Sequence, residues 1–130
     1  MRYAIVSDIH ANRPAWEAVL DDIAREGVDV ICCLGDIVGY GPRPRAVLES
    51  VFEHCENVVL GNHDAVIADK VSLDAFNPAA RSAIEWTRDR LGEGWRAPFA
   101  SLPLTLRGDG ILLTHGDACE PNKFRYVTRP

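Results

Sequence analysis

The chain has 130 residues, which is long enough to bury a hydrophobic core and suits a single domain over residues 1–130. Hydrophobic residues make up 47% and charged residues 25%, a composition that excludes a disordered or fibrous protein. The net charge of −5 comes with no basic run, so we expect no clear nucleic-acid-binding surface. The N-terminus lacks a signal-peptide pattern and no apolar run reaches membrane-spanning length, so we expect a cytoplasmic protein without a membrane partner.

The first half of the chain alternates short apolar runs with helical patterns. "YAIVS" (3–7), "VDVICCLG" (28–35) and "NVVLG" (57–61) are predicted strands. Asn12 is predicted to cap the helix between the first two strands, and Gly27 to end it. Strand, helix, strand, helix, strand with short links is typical of parallel βαβ units, so the fold class is predicted to be α/β.

The second half has a helix and a hairpin. Residues 65–76 are ambiguous, with a short helix as one interpretation. Asn77 and Pro78 open a predicted helix that continues to Leu91. The segments "LPLTL" and "ILLTHG" flank the turn signal Asp109-Gly110 and predict a β-hairpin. The four cysteines have neither zinc-site nor disulfide spacing, so we expect reduced and mostly buried thiols.

Polar side chains with metal-ligand chemistry stand at the ends of the predicted strands. They are Asp8, His10, Asp36, Asn62, His63, Asp64 and His115. The carboxyl ends of parallel strands meet at one sheet edge, where α/β folds build their sites. Carboxylate, imidazole and amide ligands suit Mn, Fe, Zn or similar ions, and Asp36, on the middle strand, is placed to bridge two of them. His63, ionisable near pH 7, is placed to protonate a leaving oxygen or to stabilise the phosphoryl charge.

Each residue also has a simpler interpretation. Asp8 and Asp36 are also typical of helix caps and turns, His115 of a satisfied core histidine, and Asn62 of a turn. Three of the four histidines nevertheless fall at strand ends that carry or face an Asp or Asn. That joint occurrence favours a site over coincidence.

Five further positions are lesser candidates for substrate contacts, and two tryptophans are candidates for packing. Arg13 and Asn12 lie at a predicted helix N-terminus that can receive a phosphate, although a solvated arginine is an equal alternative. Tyr40, Arg43 and Arg45 follow Asp36 on a loop that could line the substrate entrance. Trp86 and Trp95 are expected to pack rather than to stack on bases.

The motifs "SDIHAN", "LGDIVGYGP", "GNHD" and "LLTHG", in this order, resemble the calcineurin-like metallophosphoesterases, in particular their small prokaryotic phosphodiesterase branch. The resemblance implies a four-layer α/β/β/α sandwich and a phosphate ester, either a phosphodiester or a phosphomonoester, as substrate. It also implies hydrolysis by water activated between two divalent ions, with Mn²⁺ expected and Fe, Zn, Ni or Mg as alternatives. The implied roles are Asp8 and His10 on the first metal, Asp36 as bridge, Asn62 and His115 on the second metal, and His63 as catalytic residue oriented by Asp64.

Two departures from the family pattern qualify this expectation. Many relatives carry an acidic residue where this chain has Gly39, and the family's "GHxH" motif is missing because no histidine follows His115. Each metal would then keep three protein ligands, an acceptable catalytic coordination, but with lowered affinity. We also expect an incomplete second sheet, whose open edge favours a homo-oligomer.

Two other function classes remain as alternatives. The first is a catalytically impaired fragment or remnant that binds metal weakly and acts through protein association. The second, a nucleotide-binding doubly wound domain, is disfavoured because "SDIHANR" has no glycine for a phosphate loop.

Overall fold

A three-stranded parallel sheet organises the first half of the molecule. The computed structural model describes residues 1–128. The strand order is β1-β2-β3, so the second strand is central; Ala4 lies opposite Ile31, and Cys33 opposite Val58. The strands are β1 (Tyr3–Val6), β2 (Val30–Cys33), β3 (Asn57–Val58), β4 (Thr105–Gly108) and β5 (Ile111–Thr114). The helices are α1 (Arg13–Glu26), α2 (Pro44–His54), α3 (Asn62–Ile67), α4 (Pro78–Leu91) and α5 (Arg96–Ser101). The predicted α/β class is confirmed.

The long helices begin and end at the predicted signals. The Asn12 side chain accepts a hydrogen bond from the backbone N–H of Ala15, and Gly27 ends α1 in the left-handed conformation with φ 62°. Asn77 caps α4 in the same way through the N–H of Ala80, at 2.9 Å. Local capping chemistry therefore defines these boundaries.

The third strand is shorter than the predicted run 57–61. The backbone N–H of Val59 still pairs with the Cys33 carbonyl at 3.0 Å, but the N–H of Leu60 donates to the Pro103 carbonyl at 2.8 Å. The chain thus leaves the parallel sheet toward the segment that precedes β4. Its last apolar residues remain buried, because Val59 and Leu60 belong to the core.

The predicted hairpin is confirmed. Strands β4 and β5 pair antiparallel around Asp109 and Gly110, whose φ values of 49° and 77° suit a two-residue hairpin turn. The Tyr3 hydroxyl donates to the Asp109 carboxylate at 3.0 Å and attaches the hairpin to β1. Over residues 1–128, the second sheet consists of these two strands.

The start of α3 and the whole of α5 were not predicted from the sequence. The "NHD" segment forms the first turn of α3, which continues into the ambiguous residues 65–76, and α5 follows a 3-10 helix at Glu93–Trp95. The core brings together side chains of all the larger helices; its fully buried members include Leu48, Ile84 and Phe99. Among the described residues, no helix combines the length and apolarity needed to cross a bilayer.

Candidate functional site

Asp36 is the centre of the predicted cluster. Its Oδ2 lies 3.7 Å from His10 Nε2 and 3.6 Å from His115 Nε2, so one buried carboxylate oxygen faces two imidazoles. His10 Nε2 is also 3.7 Å from Asp8 Oδ1. His115 Nε2 is 3.0 Å from Asn62 Oδ1. The structure therefore brings all five predicted metal ligands into one cluster around Asp36.

The spacing and chemistry of these atoms fit divalent ions. Ligand atoms held at ~2.0–2.2 Å from one ion lie ~3–3.5 Å from each other, close to the separations seen here. The donor atoms are carboxylate oxygens, imidazole nitrogens and an amide oxygen, without a thiolate. Two sets of carboxylate and imidazole ligand atoms lie within 4.8 Å of one another, those of Asp8, Asp36 and His115 and those of His10, Asp36 and His63.

The two imidazoles are oriented by backbone carbonyls. His10 Nδ1 lies 3.1 Å from the Val38 carbonyl oxygen, and His115 Nδ1 lies 2.7 Å from that of Leu34. A carbonyl oxygen only accepts, so each Nδ1 donates in this bond and each Nε2 is the ring nitrogen that faces Asp36. This arrangement is the one that metal-binding histidines require.

The ligand-bearing loops are held in a strained backbone conformation. Asp8, His10 and Asp36 have φ values of 57°, 48° and 53°, in the left-handed region that non-glycine residues rarely adopt. Backbone bonds continue past the end of the β1–β2 pairing, from the N–H of Asp8 to Gly35 and from the N–H of His10 to Asp36, both at 3.0 Å. Such strain persists where the surroundings impose it, and it is characteristic of functional sites.

Asp64 stabilises the site through the backbone. Its carboxylate is fully buried and accepts hydrogen bonds from the N–H groups of Ile37 (3.0 Å), Gly61 (3.2 Å) and Val38 (3.4 Å). Burial, reinforced by the nearby Asp36 carboxylate, raises the pKa of Asp64 above the usual carboxyl range. Asp64 was expected to orient His63, but its hydrogen bonds go to these amides instead of the ring. It connects the first turn of α3 to the loop after β2.

His63 is enclosed on several sides. Its ring centroid lies 4.9 Å from those of His10 and Tyr40, and 5.1 Å from that of Phe76. Its backbone N–H donates to Asp36 Oδ1 at 3.0 Å, while Nδ1 is buried with no hydrogen-bond partner in the described chain. Nε2 is therefore the ring nitrogen left to reach a substrate.

The protonation of His63 differs from the sequence-based expectation. Burial, and secondarily the neighbouring His10 and His115, lowers the pKa of His63 to about 4. An imidazole with this pKa is neutral at pH 7 in the metal-free protein. The sequence-based expectation assumed the usual imidazole pKa, because the sequence could not reveal this burial.

The glycine at position 39 leaves room for the His63 ring, which the sequence alone did not reveal. A Cβ atom at this position would lie 2.7 Å from His63 Nδ1, and Gly39 itself has φ 95°. The buried ring of His63 thus occupies the space in which a side chain at position 39 would begin. A side chain at position 39 would require the His63 ring to move.

The two predicted substrate-binding residues lie beside the metal ligands but are engaged within the protein. Asn12 caps α1, and the Arg13 Nε donates to Glu17 Oε1 at 2.6 Å. Tyr40 lies over the site, with its ring centroid 5.0 Å from that of His10. Phe76 was missed altogether, because its contact with His63 depends on how the segment after α3 folds back.

The comparisons with known proteins agree with this geometry. The family model of the calcineurin-like phosphoesterases matches residues 1–130. The chain is 39% identical to the uncharacterized protein MJ0912 of Methanocaldococcus jannaschii, over 95% of this chain and 53% of that one. It is 34% identical to the phosphodiesterase YfcE of Escherichia coli K12, over 52% of this chain and 42% of that one. The crystal structure of a metallophosphoesterase from Sphaerobacter thermophilus superimposes with a TM-score of 0.81 at 44% identity, covering 98% of this chain and 51% of that one.

The fold and the cluster around Asp36 define the metallophosphoesterase class. The chain belongs to the calcineurin-like phosphoesterase family. It is thereby a hydrolase by resemblance, and the family is generally dependent on two metal ions. The chain spans about half the length of the MJ0912 and Sphaerobacter thermophilus relatives.

Proposed function

We propose that this protein hydrolyses a phosphate ester, as a phosphodiesterase or phosphatase, at a site that holds two divalent ions. The closeness of Asp36 Oδ2 to both His10 Nε2 and His115 Nε2 carries the proposal. Asp8, His10 and Asp36 would hold one ion, and Asp36, Asn62 and His115 the other. Mn²⁺ is the proposed ion on the basis of the mixed oxygen and nitrogen donors. The relative YfcE, a phosphodiesterase, supports this reaction class.

The residues have distinct tasks in this proposal. Divalent ions supply charge neutralisation of the phosphate and lower the pKa of water. His63, neutral at pH 7, would donate a hydrogen bond from Nε2 to the oxygen that develops charge. Asp64 would position His63 through α3, since its carboxylate holds the Gly61 N–H that precedes this helix. Asn12 and Arg13 would contact the phosphate. Arg13 would break its hydrogen bond to Glu17 and bind the substrate instead.

The test is hydrolysis of a chromogenic phosphodiester by the purified 130-residue chain, with and without Mn²⁺, together with metal analysis of the same sample. We expect Mn²⁺-dependent turnover that Asp36→Asn abolishes. His63→Ala should lower kcat by roughly 10²-fold or more while sparing the bound metal. Loss of metal in His63→Ala would reassign His63 as a ligand, and a folded, metal-loaded wild type without turnover would contradict the enzyme proposal.

A catalytically impaired, self-associating form is the second candidate. Its support is the three protein ligands per ion within this chain and the exposure of apolar sheet residues: Ile5 of β1 is 48% exposed and Leu112 of β5 is 37% exposed. Two copies would cover these residues. Light scattering should then report a dimer that Ile5→Lys converts to a monomer; a monomeric wild type would count against this candidate.

The cytoplasm is the proposed location, which cell fractionation would test.

A further inference from the structure

A groove separate from the predicted metal ligands collects arginine side chains that form no ion pair with a carboxylate of the described residues, although Arg45 Nη2 donates to the Leu91 carbonyl at 3.4 Å. It has a volume of about 490 Å³ and lies between the start of α2 and the second half of α4. Its lining includes Arg43, Arg45 and Arg90, together with Trp86 and Glu49. We call it the arginine groove. Ligand pockets of small molecules typically have volumes of ~300–1,000 Å³.

The three arginines differ from most others in the chain. Within residues 1–128, seven arginines form ion pairs with carboxylates at 4.0 Å or less: Arg2, Arg13, Arg25, Arg81, Arg88, Arg96 and Arg125. The four described arginines without such a partner are Arg43, Arg45, Arg90 and Arg107. Three of these four converge on one groove of a protein with net charge −5. Converging guanidinium groups without carboxylate partners suit a polyanion.

The groove also offers an aromatic surface. Trp86 is 37% exposed, so the expectation that it packs is met only in part, whereas Trp95 packs against the core. The Arg90 guanidinium lies over the Trp86 ring, 5.2 Å from its centroid. An indole with an adjacent guanidinium is a stacking platform for a nucleobase. The Glu49 carboxylate can accept hydrogen bonds from the amino group of a base.

The backbone of the groove adds to this chemistry. Arg43 is the N-cap residue of the 11-residue helix α2 and makes no side-chain capping bond. Pro44 at the first helical position has no N–H, so the N–H groups of Arg45 and Ala46 are the ones available to an anion. The N–H of Arg43 donates to the Ala11 carbonyl at 3.2 Å, which fixes the groove's edge against the loop after β1. The rim of the groove is therefore held in place by the fold.

We propose that the arginine groove binds a nucleoside triphosphate, with the phosphates on Arg43, Arg45 and Arg90 and the base on Trp86. The three guanidinium groups can pair with the phosphate chain, and the indole can stack on the nucleobase. A peptide of acidic residues has no flat ring to stack there. This site uses none of the metal-ligating residues, so its occupancy is independent of the phosphoesterase proposal.

The experiment is calorimetric titration of ATP into the full chain in EDTA, with tripolyphosphate and polyglutamate as comparison probes. Arg43→Gln and Arg90→Gln should each weaken ATP binding by about tenfold. Trp86→Leu should weaken ATP binding by about tenfold but leave tripolyphosphate binding unchanged. Arg107→Gln is the matched control, because Arg107 is also exposed and unpaired but lies on the hairpin; it should bind ATP like the wild type.

Further outcomes decide against the proposal. Unchanged ATP affinity in the Arg43→Gln/Arg90→Gln double variant, with thermal unfolding confirming its fold, would overturn it. So would polyglutamate binding as tightly as ATP, because the groove would then recognise an acidic peptide. Asp36→Asn should leave ATP affinity unchanged; its loss would place the nucleotide at the metal-ligand cluster and overturn the groove assignment.

Discussion

Gly39 and His63 show how a single missing side chain shapes the site. Gly39→Ala places a methyl group 2.7 Å from His63 Nδ1 and forces a side chain into φ 95°. We expect this variant to lose about 2 kcal/mol of unfolding free energy through overpacking and strain. If His63 is catalytic as proposed, its displaced ring should also lower kcat roughly tenfold or more. Urea unfolding and phosphodiester hydrolysis measure the two effects.

Gly94→Ala is the matched control for Gly39→Ala. Gly94 has no positive φ, and a Cβ atom there would meet nothing within 4 Å. Its unfolding free energy should stay within about 0.5 kcal/mol of the wild type, with unchanged kcat. If Gly39→Ala behaved like Gly94→Ala, the tight packing of His63 against residue 39 would be refuted.

At the scale of single elements, Asn12 has a structural role that can be separated from its proposed contact with substrate. Asn12→Ala should cost about 1 kcal/mol because the N–H of Ala15 loses its cap, whereas Asn12→Asp keeps the cap. A substrate contact predicts that both changes raise KM, and Asp more so because its charge repels phosphate. Urea unfolding measures the loss of stability caused by removing the cap, and steady-state kinetics measures the rise in KM caused by removing the substrate contact.

The α4 cap provides the comparison for Asn12. Asn77→Ala removes an equivalent hydrogen bond, to the N–H of Ala80, in a residue that is not a candidate for substrate binding. Its stability loss should match that of Asn12→Ala while KM stays unchanged. Should Asn12→Asp also leave KM unchanged, Asn12 would be a helix cap alone.

Elements were predictable from sequence where local patterns sufficed. The caps Asn12 and Asn77 and the Asp109-Gly110 turn act through neighbouring residues, so their helices and hairpin were found. For helix α3, a short helix was one interpretation of residues 65–76, but its start at Asn62 was not predicted, because its six residues show no apolar period and its N-terminus is stabilised by tertiary bonds of Asp64. The prediction that residues 1–130 form one domain stays a prediction.

Part of the candidate site was also predictable from the sequence. The rule that parallel strands end at one edge was enough to bring Asp8, His10 and Asp36 together. The burial of His63, the backbone contacts of Asp64 and the packing of Phe76 against His63 depend on how segments distant in sequence fold together. No local pattern carries that information.

At the scale of the whole molecule, we expect the predicted metal ligands to couple stability to metal binding. Asp36 is only 3% exposed, and burial raises the pKa of Asp36, which means that the charged carboxylate costs free energy in the metal-free fold. Asp36→Asn removes this charge, and its amide oxygen can still accept the His63 N–H. We therefore expect the metal-free variant to be at least as stable as the wild type at pH 7.5, despite its proposed loss of activity.

Excess Mn²⁺ should make the wild type more stable than Asp36→Asn. A ligand at 100 times its Kd stabilises the folded state by about 2.7 kcal/mol, so Mn²⁺ should raise the Tm of the wild type but not that of Asp36→Asn. Thermal unfolding in EDTA and in excess Mn²⁺ makes the comparison, with Asp22→Asn as a control because Asp22 pairs with Arg25 on the exposed side of α1. The control should gain as much from Mn²⁺ as the wild type does. An equal Mn²⁺ gain in Asp36→Asn would show that the ion binds elsewhere, and the shared-carboxylate site would have to be abandoned.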